Sequence, residues 1–368
     1  MEKTAVDNAA GRAAALDVYD FKGGMLVKAG AVFKAGSVER LKKEEIPFVY
    51  TAGGDISVNA IYNASTTAEM LKVLWNFMKT GGEKADILKC YSIDQVKQFI
   101  SYSRESSAKL AYGHVLGFFA AVMLKEIKNS VEKYYDFYDY RSRESYNNYH
   151  AVNTACLCGI IGANMGLSDG EVIDLITGAA LIDIKMGLYE FVNENRGLNA
   201  LEKEEMSGHA MAGFEAIRGI YGIPSRAAAI ILRHHERFNG GGYPKGLKNS
   251  DITIPARIAA VADVYDSMTS RRPFRAPFYP DEAWEHISKN SGVLFDPDVV
   301  SEFKRTVPKY SPGDRVVLAS GKNAVVISNA YGCPETPEIV IEKNGQSAII
   351  SSGEEAKNYV VKTILSMR

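Results

Sequence analysis

The stretch His234–Arg275, HHERFNGGGYPKGLKNSDITIPARIAAVADVYDSMTSRRPFR, constrains the fold of this chain more than any other. A helical run that carries two adjacent histidines meets a glycine-rich turn at 240–242, where glycines do not favour a helix. Tyr243-Pro244 closes the turn, and a second helix opens on Pro255, a residue tolerated in a first helical turn. That helix carries Asp263 inside the apolar run AAVADVYDS. A carboxylate on a buried helix face costs several kcal/mol, roughly, unless it is paired or binds a metal. The fold must therefore bring partners to Asp263.

The rest of the chain divides by period. Residues 1–60 read as a small α+β module. GGMLVKAGAVF suggests two short strands around the turn at 28–30, VERLKKEEI a helix and PFVYT a strand. Residues 61–129 read as a helical connector, with Thr66 capping the stripe of TTAEMLKVLWNFMKT. Residues 130–309 form the main helical domain. Within it YNNYHAVNTACLCGIIGANMG is a helix ended by Gly166, and SDGEVIDLITGAALIDI is a helix opened by the capping box Ser168–Glu171. EEMSGHAMAGFEAIRGI, PSRAAAIILRHHERF, DEAWEHISKN and PDVVSEFKRTV are further helices. Residues 310–368 return to a period of two, with three or four strands and turns at Gly-Lys-Asn and Lys-Asn-Gly.

A net charge of −1 gives no bulk attraction for a nucleic acid polymer or a membrane surface, so any anionic ligand needs a local cationic cluster. Cys156 and Cys158 are two apart and lack the spacing of a zinc site, which suits small core residues in a reducing compartment. The longest apolar run, Val115–Leu124, is about half of what spans a bilayer, and no signal peptide is evident, so a cytoplasmic location is expected.

Four of the six histidines, His150, His209, His234 and His235, fall in the helical middle; His114 and His286 look incidental. With Asp183 and Asp263 they form a set of imidazoles and carboxylates suited to iron, manganese or zinc. Asn239-Gly240-Gly241-Gly242 lets backbone amides approach an anion. Tyr243 can hydrogen-bond a phosphate, and Arg272 and Arg275 can make bidentate bonds to phosphate or guanine.

HHERFNGGGYPKGL and the helix and arginine cluster that follow it resemble the signature of the HD-GYP domain family. These are HD-superfamily metal-dependent phosphohydrolases that cleave cyclic di-GMP, and the resemblance covers roughly residues 130 to 310. It implies a mainly α fold, an HD-type helical bundle flanked by the two small modules. By position it implies His150 and Asp263 as ligands of a first metal, Asp183 as the bridge, and His209, His234 and His235 as ligands of a second. It implies Asp183 and Tyr243 in catalysis and Gly242, Tyr243, Pro244, Arg272 and Arg275 on the substrate. Members with a third metal carry a Glu where this chain has Tyr146.

The chain departs from the family at one segment. Where the family reads His-Asp-x-Gly-Lys, residues 182–186 read Ile-Asp-Ile-Lys-Met. Ile182 has no lone pair, and Lys185 sits one residue early, about 100° round a helix. The expectation is one tight divalent metal, Fe or Mn, with the other position weakened. The function expected is a cyclic di-GMP phosphodiesterase of reduced activity, giving pGpG or GMP. The alternative is a catalytically inactive cyclic di-GMP receptor. A homodimer, and protein partners for the terminal modules, stay open.

Overall fold

The protein is described from a computed structural model that covers residues 2–14, 18–19, 25–27, 31–43, 48–51, positions within 116–128, and 146–365. The last range omits 195, 221, 271–276, 311–313, 330–331, 334, 344–345 and 352–359. Arg272, Arg275 and the helical run expected from Thr66 lie outside the described residues.

Near the N-terminus, β1 (Glu2–Ala5), β2 (Val18–Tyr19), β3 (Met25–Val27), α1 (Ala35–Lys43) and β4 (Phe48–Thr51) form the small module. β1 pairs antiparallel with β4, and β2 with β3. Met25–Val27 therefore takes its partner from the preceding segment, while Val32 bridges back to Ala13. Val6, Phe33, Leu41 and Val49 make a separate core.

The helical middle comprises α2 (Tyr146–Asn164), α3 (Asp169–Ala179), α4 (Ala200–Ser207), α5 (His209–Ile217), α6 (Ser225–Arg233), α7 (Ile254–Thr269), α8 (Pro280–Lys289) and α9 (Pro297–Thr306). Their ends follow local chemistry. Ser168 and Glu171 satisfy each other's backbone amides at the start of α3, and Asn199 and Glu202 do so for α4. The side chain of Asp296 accepts the first amides of α9. Gly166, at φ 79°, stops the chain after α2 in a conformation that glycine adopts without strain.

The core is built where α2 meets α3 and α7. Leu157 and Ile161 pack with Leu175, Ile258, Val261 and Tyr265, and Trp284 and Phe303 close the far side. α3 and α6 touch so closely that a Cβ on Gly178 would lie 2.7 Å from the carbonyl oxygen of Ala227. Cys156 and Cys158 are buried, as expected of small core residues, and burial pushes the Cys158 thiol up.

Three helices are shorter than the sequence suggested, PSRAAAIILRHHERF among them, since α6 stops at Arg233 and leaves 234–238 to the loop. EEMSGHAMAGFEAIRGI is two helices that meet at Gly208. α3 ends at Ala179, so ALIDIKMG is a series of turns, with a 3-10 turn over Met186–Leu188. Periodicity could not place this stop, because Leu181, Ile182 and Ile184 are all buried while leaving helical geometry.

β5 (Arg315–Leu318), β6 (Asn323–Ser328), β7 (Glu338–Lys343), β8 (Gln346–Ser351) and β9 (Val360–Leu365) form one antiparallel sheet in the order β8-β7-β6-β5-β9. The fifth strand exceeds the three or four expected. Its partner is β5, more than forty residues earlier, a pairing that no hairpin signal announces. The backbone amide of Thr363 donates to Asp281 of α8 at 2.9 Å, tying the sheet edge to the helices. Among the described residues no helix is long and apolar enough to cross a membrane.

Candidate metal centre

Asp183, His209, His234 and His235 each present a ligand atom within 4.8 Å of the others, and His150 and Asp263 converge on the same Asp183. The segments that carry them are brought together only by packing of α2, α5, α6, α7 and the turn after α3. Asp183 sits in that turn at φ 61°, a left-handed conformation that an aspartate tolerates better than most residues. The 182–186 segment is thus not a helix. The offset of about 100° expected for Lys185 applies to helical geometry alone and does not hold in this turn.

His209 is the first residue of α5, and its Nδ1 donates to the carbonyl of Met206 at 2.6 Å. His234 caps the end of α6, and its Nδ1 donates to the carbonyl of Ile231 at 2.8 Å. A ring that donates from Nδ1 carries its lone pair on Nε2 when neutral. The two Nε2 atoms lie 3.4 Å apart, and the Nε2 of His235 lies 3.1 Å from that of His209. Three imidazole nitrogens therefore face one another with too few protons to separate them. The carboxylate completes the set: Oδ1 of Asp183 is buried and lacks a donor in hydrogen-bond geometry, although Nε2 of His209 is 3.2 Å away. Converging lone pairs with an orphaned carboxylate oxygen fit a divalent cation.

The other half is assembled differently. Nε2 of His150 lies 3.0 Å from Asp263 and 3.6 Å from Asp183. Its Nδ1 donates to Asp266 at 2.7 Å, and Asn153 donates to the second oxygen of Asp266 at 2.8 Å. Ser270 adds a hydroxyl bond to the backbone carbonyl of Asp266. Asp266 and Asn153 were missed in the sequence. The available signal was spacing: each lies three residues after a proposed ligand on the same helix, hence on the same face.

Electrostatics follow from this crowding. Burial alone would raise Asp183, yet the facing imidazoles of His209 and His234 hold it well below the usual carboxylate range. Asp263 is likewise held low against its burial, chiefly by His150. Burial, with the neighbouring His234, pushes His235 well below the ordinary histidine value and so favours its neutral, metal-binding form. For His209 burial works downward, but Asp183 overrides it and the net shift is upward.

The glycine loop is closed onto itself. Gly240 donates to the carbonyl of Arg237, Gly241 to the side chain of Asn239 and Tyr243 to the carbonyl of His235. The amides of Gly240, Gly241 and Tyr243 are thus committed within the protein and do not face an anion. Gly242 is required for another reason: a Cβ there would lie 2.4 Å from both the carbonyl oxygen of His235 and the amide nitrogen of Arg237. The loop places the Tyr243 ring, followed by a cis bond to Pro244, stacked on His235 at 4.7 Å between centroids. Burial, and then the carboxylate of Asp263, raise the Tyr243 hydroxyl, so it stays a phenol that can donate. Ile182 is buried, and Tyr146 opens α2.

Residues 132–299 match the family model of the HD domain. A cyclic di-GMP phosphodiesterase of Thermotoga maritima is 38% identical over 168 residues, covering 45% of this chain and 45% of that protein. The cyclic di-GMP phosphodiesterase response regulator RpfG of Xanthomonas campestris pv. campestris is 36% identical over 152 residues, 40% of each chain. The chain thus spans less than half the length of these two curated relatives. The solved structure of Bd1817, a HDG"Y"P protein from Bdellovibrio bacteriovorus, superposes with a TM-score of 0.50 at 15% identity, over 82% of this chain and 97% of that one. That likeness concerns the fold.

Proposed function

Residues 132–299 are an HD domain of the HD-GYP kind, and on that premise we propose that the protein is a metal-dependent cyclic di-GMP phosphodiesterase. The observation that carries the reading is the convergence of Asp183 with His209, His234 and His235, with Tyr243 stacked at its edge. Asp183, His209, His234 and His235 would hold one ion tightly. His150, Asp183 and Asp263 would hold a second more weakly, because Ile182 supplies no ligand. Iron or manganese suits this mixture of imidazole and carboxylate donors. An ion held there supplies positive charge that lowers the pKa of a water toward neutrality.

The chain's own groups do the rest. Asp183, ionised despite burial, bridges the two halves. Tyr243 remains protonated and donates its hydroxyl to a phosphoryl oxygen, while Gly242 and Pro244 fix its backbone. Arg272 and Arg275, outside the described residues, are assigned to the non-scissile phosphate by their positions in the motif. In-line attack on phosphorus then expels the 3′ oxygen and yields pGpG, or GMP after a second cleavage. We take residues 1–60, 61–129, 130–309 and 310–368 as separate modules of a cytoplasmic protein.

A second reading, a cyclic di-GMP receptor without turnover, is favoured by one observation. Ile182 and Met186 replace a ligand and a lysine in the segment that also carries Asp183. Elemental analysis of the purified chain, followed by cyclic di-GMP hydrolysis with added Mn²⁺ or Fe²⁺, separates the two. Metal-dependent appearance of pGpG supports the enzyme. Micromolar binding without product supports the receptor, and neither binding nor product overturns both.

A further inference from the structure

The histidine pair is followed by Glu236, a carboxylate that the chemistry above leaves unused. It is almost wholly buried, with 1% of its surface exposed. A carboxylate at that depth is costly unless each oxygen is matched. Here both oxygens are matched by backbone: Oε1 accepts the amide of Lys245 at 2.9 Å, and Oε2 accepts the amide of Leu247 at 2.9 Å. Between the carboxylate and those amides lies the loop that carries Gly240, Gly242, Tyr243 and Pro244.

Two further contacts close the same ring. The amide of Tyr243 returns to the carbonyl of His235 at 3.2 Å, and the amide of Asn249 to the carbonyl of Phe238 at 3.0 Å. The descending limb of the loop is thus bound to its ascending limb at several points, and Glu236 supplies the two that are charge-assisted. Those two lie immediately after Tyr243-Pro244, where a shift would move the tyrosine ring along the face of His235. The ligand His234 needs no such help, since its Nδ1 is already fixed by Ile231.

We infer that Glu236 is a positioning residue: it clamps the 237–247 loop so that Tyr243 stays over His235 at the mouth of the metal centre, and it acts on substrate only through Tyr243. The catalytic part of this inference rests on the phosphodiesterase reading; the clamp does not. Bonds of this type, lost from a buried site, typically change an equilibrium by about tenfold each or more.

The test uses the full chain with Glu236→Ala, Glu236→Gln, Tyr243→Phe and the double variant Glu236→Ala/Tyr243→Phe. Gln keeps one acceptor but turns an NH₂ toward the other backbone amide, so it probes the clamp with little change of volume. Hydrogen exchange of the 238–247 segment should accelerate by about tenfold or more in both Glu236 variants, with α2 and α7 unchanged. Metal content by elemental analysis should match the wild type. With cyclic di-GMP, kcat/KM should fall by about ten- to a hundredfold in Glu236→Ala, and adding Tyr243→Phe should cost little more.

Exchange in the loop that matches wild type in both variants overturns the clamp. Loss of metal in Glu236→Gln overturns the claim that it acts through Tyr243, as do fully additive effects in the double variant. If Glu236→Ala fails to fold, Glu236→Gln carries the exchange and metal measurements alone. If wild type turns over no cyclic di-GMP, the phosphodiesterase reading fails, while exchange still decides the clamp.

Discussion

The two halves of the candidate metal centre share Asp183 and little else. In the imidazole-rich half, His209 and His234 are each oriented by a carbonyl three residues earlier in their own segment, Met206 and Ile231. In the carboxylate-rich half, His150 is oriented by Asp266, 116 residues away, which is held in turn by Asn153. In one half the ring orientation is set by local backbone geometry. The other depends on α2 and α7 staying in register, and the buried Ile182 next to Asp183 offers it no donor atom.

The comparison breaks most visibly at the shared or richer side. Asp183→Ala and His235→Ala should each abolish stoichiometric metal in elemental analysis and reduce hydrolysis by about a hundredfold or more. A His235→Ala protein that keeps full metal would mean the ion is held elsewhere. Ile182→His should add a ligand to the poorer half, raising metal content and hydrolysis together by tens to hundreds of times, roughly. If the second ion binds and the rate stays put, the missing lysine at position 186 is the lesion, and the pair Ile182→His with Met186→Lys should then recover activity.

Asp266→Asn sharpens the contrast. It should weaken metal at the His150 half by about ten- to a hundredfold while sparing the His209 half, read by titrating metal into stripped protein. Equal loss at both halves would show that Asp266 supports the whole bundle instead.

The smallest expected effect lies in α4, which leads into His209. Arg196 and the amide of Asn199 hold the half-buried Glu202 down to about 2. A carboxyl lowered by folding contributes stability that is full above its unfolded value and is lost as pH falls toward its folded one. Metal-free protein should therefore lose a small increment of stability between about pH 4.5 and pH 2 in acid titration, and Glu202→Gln should flatten it.

Much of this protein was legible in its residues. Ser168 with Glu171, Pro255 and Gly166 marked helix ends, because caps and breakers act through backbone groups a few residues away. Asp183 and Asp263 stood out as carboxylates in apolar runs, and His150, His209, His234 and His235 as four of the six histidines gathered in the helical middle. Tertiary structure alone decided how they meet. It ended α3 at Ala179 and turned Asp183 into a left-handed conformation, although Ile182 and Ile184 continue an apolar pattern that reads as helix. It enlisted Asp266 and Asn153 around His150, spent the amides of Gly240, Gly241 and Tyr243 on the loop itself, and paired β9 with β5. Local periodicity reports which residues avoid water, whereas the direction of a lone pair or the partner of a buried carboxylate depends on segments a hundred residues apart being packed together.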